Sequence, residues 1–125
     1  MELSGIVNYE RLFTLKLVHP VTDEPLGITF KIRSAGSKEA KAILRKHIDE
    51  NLEYQRKNKT IKGEMLERQE AEKAASWIAS WDWGDHTYKN TKPVLSMETA
   101  VQILMAEGWI YNQVSEAANT IANFT

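Results

Sequence analysis

The stretch "WIASWDWGDH", residues 77–86, sets Asp82, Asp85 and His86 within five positions and places Trp77, Trp81 and Trp83 immediately before and among them. Carboxylates with an imidazole bind divalent cations or exchange protons near neutral pH, and exposed indoles offer faces on which nucleobases stack. The spacing argues against the first use. On a turn such side chains splay apart, and the other two histidines, His19 in a turn-rich segment and His47 in a charged one, have no evident route to the trio. No glycine-rich phosphate loop, nucleophile elbow or paired-histidine helix motif accompanies them. Asp82, Asp85 and His86 therefore read as solvated turn residues, and the expectation is a non-enzymatic protein with no catalytic residue, no metal site and no cofactor.

A second chemistry is written in "RKNKTIKG", where Arg56, Lys57, Lys59 and Lys62 could neutralise phosphates beside the tryptophan cluster. This supports an alternative reading as a small helical nucleic-acid-binding regulator. Against it, Glu64, Glu67, Glu70 and Glu72 follow at once, and Asp82 and Asp85 sit among the tryptophans, where they repel phosphate. The 16 Lys and Arg against 17 Asp and Glu leave no global positive field. Nucleic acid is thus not the expected partner.

The elements that position these groups follow from periodicity. "LFTLKLV" and "GITFKIR" alternate apolar and polar residues, placing Phe13, Leu15 and Leu17 on one face and Ile28, Phe30 and Ile32 on another, with a turn-prone "HPVTDEPLG" between. This predicts a β-hairpin within residues 1–35. A lone hairpin is marginal in water, so its apolar face must rest on helices or on another copy of the chain. From residue 37 to 125 the period is helical. Ser37 is placed to cap a first helix running to about Tyr54, with Ala40, Ile43, Leu44, Ile48 and Leu52 on its apolar stripe. A second helix puts Ala71, Ala74, Ala75, Ile78 and Trp81 on one face; Ser96 caps a third that ends at Gly108; a fourth aligns Ile110, Val114, Ala117, Ala118 and Ile121 and closes near Phe124. Half of the residues between Lys38 and Lys73 are charged, with pairs four apart such as Glu53 with Lys57 and Glu64 with Arg68, as on a solvated helical face.

The predicted fold is α+β and mostly helical, a β-hairpin followed by about four helices in a single domain over 1–125. With 0 cysteines, packing or self-association must supply the stability. No apolar run reaches membrane-spanning length and the first 20 residues lack the pattern of an export leader, so a soluble, unexported protein is expected. Within this frame Trp77 and Trp81, four apart, form the end of a core stripe. Trp83 must point elsewhere, either back over the loop toward Tyr88 and Trp109 or outward to a partner.

The order of segments, "HPVTDEPLGITFKIRS", a charged helical middle, "WIASWDWGDH", "KPVLSMETAVQIL" and a closing "WIYNQVSEAANTIANF", resembles the tail assembly chaperones of long-tailed bacteriophages. The resemblance spans nearly the whole chain and departs from the family pattern at "HTYKNTKPV", where a hydrophobic-glycine turn is usual. It implies a protein that acts in virion morphogenesis in the host cell cytoplasm and is absent from the mature virion. Its implied partner is the tape measure protein, kept soluble while the tail tube protein polymerises around it. Homo-oligomers and a longer form made by ribosomal frameshifting are further implications. Helix-in-groove binding to such a partner would use Leu104, Met105, Trp109, Ile110 and Val114 where the core leaves them free, together with Trp83.

Overall fold

The computed structural model describes residues 2–125. Strands β1 (Phe13–Val18) and β2 (Pro25–Ile32) form where the alternation places them. They pair antiparallel, with Phe13 opposite Ile32 and Leu15 opposite Phe30, so the predicted faces coincide and Leu17, Phe30 and Ile32 are fully enclosed. Polar residues take the other face, where Lys31 Nζ donates to Thr14 Oγ1. His19 is used by the connecting turn: its Nδ1 accepts from the backbone N–H groups of Val21 and Thr22.

Helix α1 (Lys38–Arg56) starts at Ser37, whose hydroxyl accepts from the Ala40 N–H and so satisfies one of the free donors of the first turn. Helix α2 (Gly63–Ser76) returns antiparallel to it, and the contact between them is largely polar. His47 Nε2 donates to Glu72 at 3.0 Å, and the Asn51 and Gln69 amides bond to one another.

Two expectations fail here. The second helix does not continue through Ile78 and Trp81; it stops at Ser76, and Ile78–Asp82 forms β3, which joins the far edge of β2. Helical and strand periods both fit this stretch, and long-range bonds decide between them. An open β2 edge leaves backbone groups in want of partners, which Ile78, Ser80, Trp81 and Asp82 supply opposite Ile32, Lys31, Phe30 and Thr29. The Arg33 guanidinium ends the helix by donating to the carbonyls of Ser76 and Ile78, and the Arg33 N–H donates to the Trp77 carbonyl.

The second failure concerns α1. Of its expected core stripe Ala40 is buried and Ile43 partly so, but Leu44, Ile48 and Leu52 are 47%, 48% and 57% exposed, and His47, off the stripe, is buried. α1 packs mainly on α2, which in turn packs on α3.

Helix α3 (Met97–Ala106) is capped by Ser96, which accepts from the Thr99 N–H, and α4 (Gly108–Asn119) begins after the single residue Glu107. Gly108 thus opens α4 as much as it closes α3. The stripe of α4 buries Ile110, Val114, Ala117 and Ala118, but Ile121 falls in a 3-10 turn (Ile121–Phe124) and is exposed. Phe124 closes the core, edge-on to Phe13 at 6.5 Å between ring centres. The chain is α+β and mostly helical, with the predicted hairpin extended to an antiparallel sheet of order β1-β2-β3. Among the described residues no helix is long and apolar enough to cross a membrane.

Candidate functional site

Because Ile78–Asp82 is a strand, Trp81 and Trp83 lie two residues apart on one side of it, and the expectation that they diverge is overturned. Trp81 packs against Phe30 at 5.4 Å between ring centres, Trp83 against Phe30 at 6.0 Å, and the two indoles meet edge to face at 5.7 Å. Trp77, just past the end of α2, is buried beneath Lys73, whose ammonium lies 5.9 Å from its ring centre. Trp81 Nε1 donates to the Pro93 carbonyl. Trp83 is 7% exposed, and its Nε1 is buried without an acceptor.

The polar trio is dispersed. Asp82 faces Thr29 across the sheet, away from the indoles, and its carboxylate accepts from the Gly84 N–H. His86 Nε2 donates to the Leu26 carbonyl at 2.6 Å, tying the loop to β2, while Asp85 is exposed. Gly84 permits the turn between them: its φ is +59°, and a Cβ there would stand 2.8 Å from the Gly27 carbonyl oxygen. Among the described residues no group of three or more carboxylate and imidazole side chains is placed to hold a metal ion. The basic group near the tip of the α1–α2 hairpin is largely engaged: Arg56 and Lys57 pair with Glu53, and the Lys59 ammonium lies 5.7 Å from the ring centre of Tyr54. Arg68 does not take the expected partner Glu64; it pairs with Glu72 and with Glu98 at the start of α3.

Past Gly84 the chain forms a tight turn, Tyr88 to Thr91, in which Lys89 and Asn90 both take positive φ; this is the local form of "HTYKNTKPV". It brings Tyr88 edge-on to Trp83 at 6.1 Å. Trp83, Tyr88, Trp109 and Ile110 then line one open cleft of about 440 Å3, walled by Leu26 and Ile28 on the sheet side and by Glu107 on the helical side. Of the expected partner-binding residues, the fold brings Trp83, Trp109 and Ile110 to this cleft. Leu104 and Val114 are enclosed in the core and reach no surface, and Met105 is half exposed on α3 but does not line the cleft.

Glu107 was not anticipated. Its Oε1 accepts from the Tyr88 hydroxyl at 3.1 Å and its Oε2 from Trp109 Nε1 at 3.0 Å. Partial burial, followed by the hydrogen bond and charge of Glu107, holds the Tyr88 phenol above its ordinary range. Burial and then the charge of Glu70 do the same for Tyr111. Nothing in "AEGW" distinguishes this glutamate from any other helix-end carboxylate; the signal is the turn that carries Tyr88 to it.

A second surface is the outward face of α1. Beside Leu44 a smaller cleft of about 230 Å3 runs between α1 and α4, lined by Ala35, Ala40, Trp77 and Tyr111. Leu44, Ile48 and Leu52 succeed one another at four-residue intervals, as one continuous ridge along the helix.

No family model, no curated protein and no solved structure matches this chain.

Proposed function

We propose that this protein is a non-enzymatic assembly chaperone of the phage tail type, which binds apolar helical segments of a tape measure protein and keeps them soluble while the tail tube assembles. The observation that carries the reading is the ridge Leu44, Ile48 and Leu52, about half exposed on a helix otherwise covered by charge. Burying the exposed part of each such side chain contributes about 1 kcal/mol on the transfer scale. An apolar ridge of this kind beside the α1–α4 cleft suits helix-in-groove recognition. The segment order quoted above supports the same class. Rings or spirals of the protein, a frameshifted longer form and exclusion from the mature virion belong to the proposal.

Co-expression tests it. The tape measure protein of the same phage should be recovered soluble with this chain and insoluble without it, and purified virions should contain none of the chain by mass spectrometry. Equal solubility with and without the chain would overturn the reading.

A further inference from the structure

The cleft beside Trp83 has a chemistry that the chaperone reading does not use. Its walls are the rings of Trp83, Tyr88 and Trp109, and the carboxylate of Glu107 is set between two of them. A carboxylate offers about four lone-pair positions, roughly two on each oxygen. Tyr88 takes one position on Oε1 and Trp109 takes one on Oε2, which leaves one open position on each oxygen. A guanidinium fork, whose two parallel N–H groups bind both oxygens of a carboxylate at once, calls for free acceptor capacity on each oxygen. The partly exposed rings of Tyr88 and Trp109 complete the match, since a guanidinium stacks on such faces more readily than an ammonium does, and the buried Trp83 indole forms the wall behind them.

The protein's own cations leave this position open. Lys89 lies over the Tyr88 ring, 5.8 Å from its centre, and His86 is bound to the Leu26 carbonyl. Among the described residues no lysine or arginine forms an ion pair with Glu107. The volume, about 440 Å3, lies within the roughly 300–1,000 Å3 typical of clefts that hold small ligands.

We infer that this cleft is a binding site for an arginine side chain of a partner polypeptide, with Glu107 as the charge partner and Trp83, Tyr88 and Trp109 as the enclosing rings. The site stands on its own geometry and does not depend on the partner being a tape measure protein.

The test is a nuclear magnetic resonance titration of the 15N-labelled full chain with acetyl-arginine-N-methylamide, following the indole N–H signals of Trp83 and Trp109. Saturable shifts of both are expected. The citrulline analogue, equal in shape but uncharged, should produce none, and the lysine analogue should bind more weakly than arginine. Glu107→Gln should weaken arginine binding about tenfold, the equivalent of one charge-assisted hydrogen bond. Lys89→Ala should leave binding intact or tighten it. Absence of saturable shifts, binding of citrulline equal to arginine, or unchanged affinity in Glu107→Gln would overturn the site, and equal binding of lysine would overturn its assignment to a guanidinium. The citrulline comparison uses the unaltered protein, so it holds even if Glu107→Gln perturbs the fold.

Discussion

The sheet with α3, α4 and the inner face of α2, which buries Ala71, Ala74 and Ala75 in the same core, and the outer helix α1 handle apolar residues in opposite ways. In the first, Leu17, Phe30, Ile32, Val101, Ile110, Val114 and Phe124 are all but fully enclosed, and even the indole of Trp83 is given up to packing at the cost of an unpaired N–H. In the second, α1 meets α2 through His47 with Glu72 and Asn51 with Gln69, while Leu44, Ile48 and Leu52 face water. Polar contacts of this kind fix geometry more than they add net stability. The sheet half accordingly carries the stability of the fold, and the outer face of α1 is left uncovered by the rest of the chain.

Truncation inside the sheet half should have the largest effect. Trp83→Ala removes a ring that touches Phe30, Trp81 and Tyr88, and is expected to cost about 3–5 kcal/mol in urea unfolding. A loss below about 1 kcal/mol would mean that this half is not the stable one. Next comes Gly84→Ala, which combines a positive φ with a Cβ pressed on the Gly27 carbonyl; about 1–3 kcal/mol should be lost, read as a lower thermal midpoint. Arg33→Met should cost a similar or smaller amount, about 1–3 kcal/mol, by stranding the Ser76 and Ile78 carbonyls where α2 turns into β3. An undiminished unfolding midpoint in that variant would remove the helix-stopping role assigned to Arg33.

The smallest effect concerns the phenol that joins the cleft. The Tyr88 pKa is raised in the folded protein, so its contribution to stability is fully present below the ordinary phenol value near 10 and is lost as pH rises through the folded value. Phenolate absorbance should therefore place Tyr88 among the late-titrating tyrosines, and Glu107→Gln should bring it down part of the way by removing a negative charge. An unshifted Tyr88 titration in that variant would contradict the contact.

Much of the fold was legible in the sequence where its signals are local. Strict alternation placed β1 and β2 on the right faces, and Ser37 and Ser96 marked their helices by side chains that bond three residues ahead. The stretch 77–83 was not legible: residues four apart suit a helix and residues two apart suit a strand, and only the open edge of β2 and the reach of Arg33 choose between them. The ridge on α1 was misplaced for a related reason. Periodicity says which residues share a face but not whether anything in the chain covers it. At the cleft, the pairing of Trp83 with Tyr88 follows once the turn at Lys89 and Asn90 is known, whereas Glu107, beside its neighbour Trp109, joins them only through the non-local bond from Tyr88.

The contrast between the halves is tested most directly by replacing Leu44, Ile48 and Leu52 with glutamine together and measuring both urea stability and the solubility of co-expressed tape measure protein. Stability should fall by no more than about 1 kcal/mol per site, from the half of each side chain that the chain itself covers, while the protein stays folded and the tape measure protein becomes insoluble. A triple variant that unfolds, or one that keeps the tape measure protein as soluble as the unaltered chain does, would contradict the assignment of this ridge to a partner.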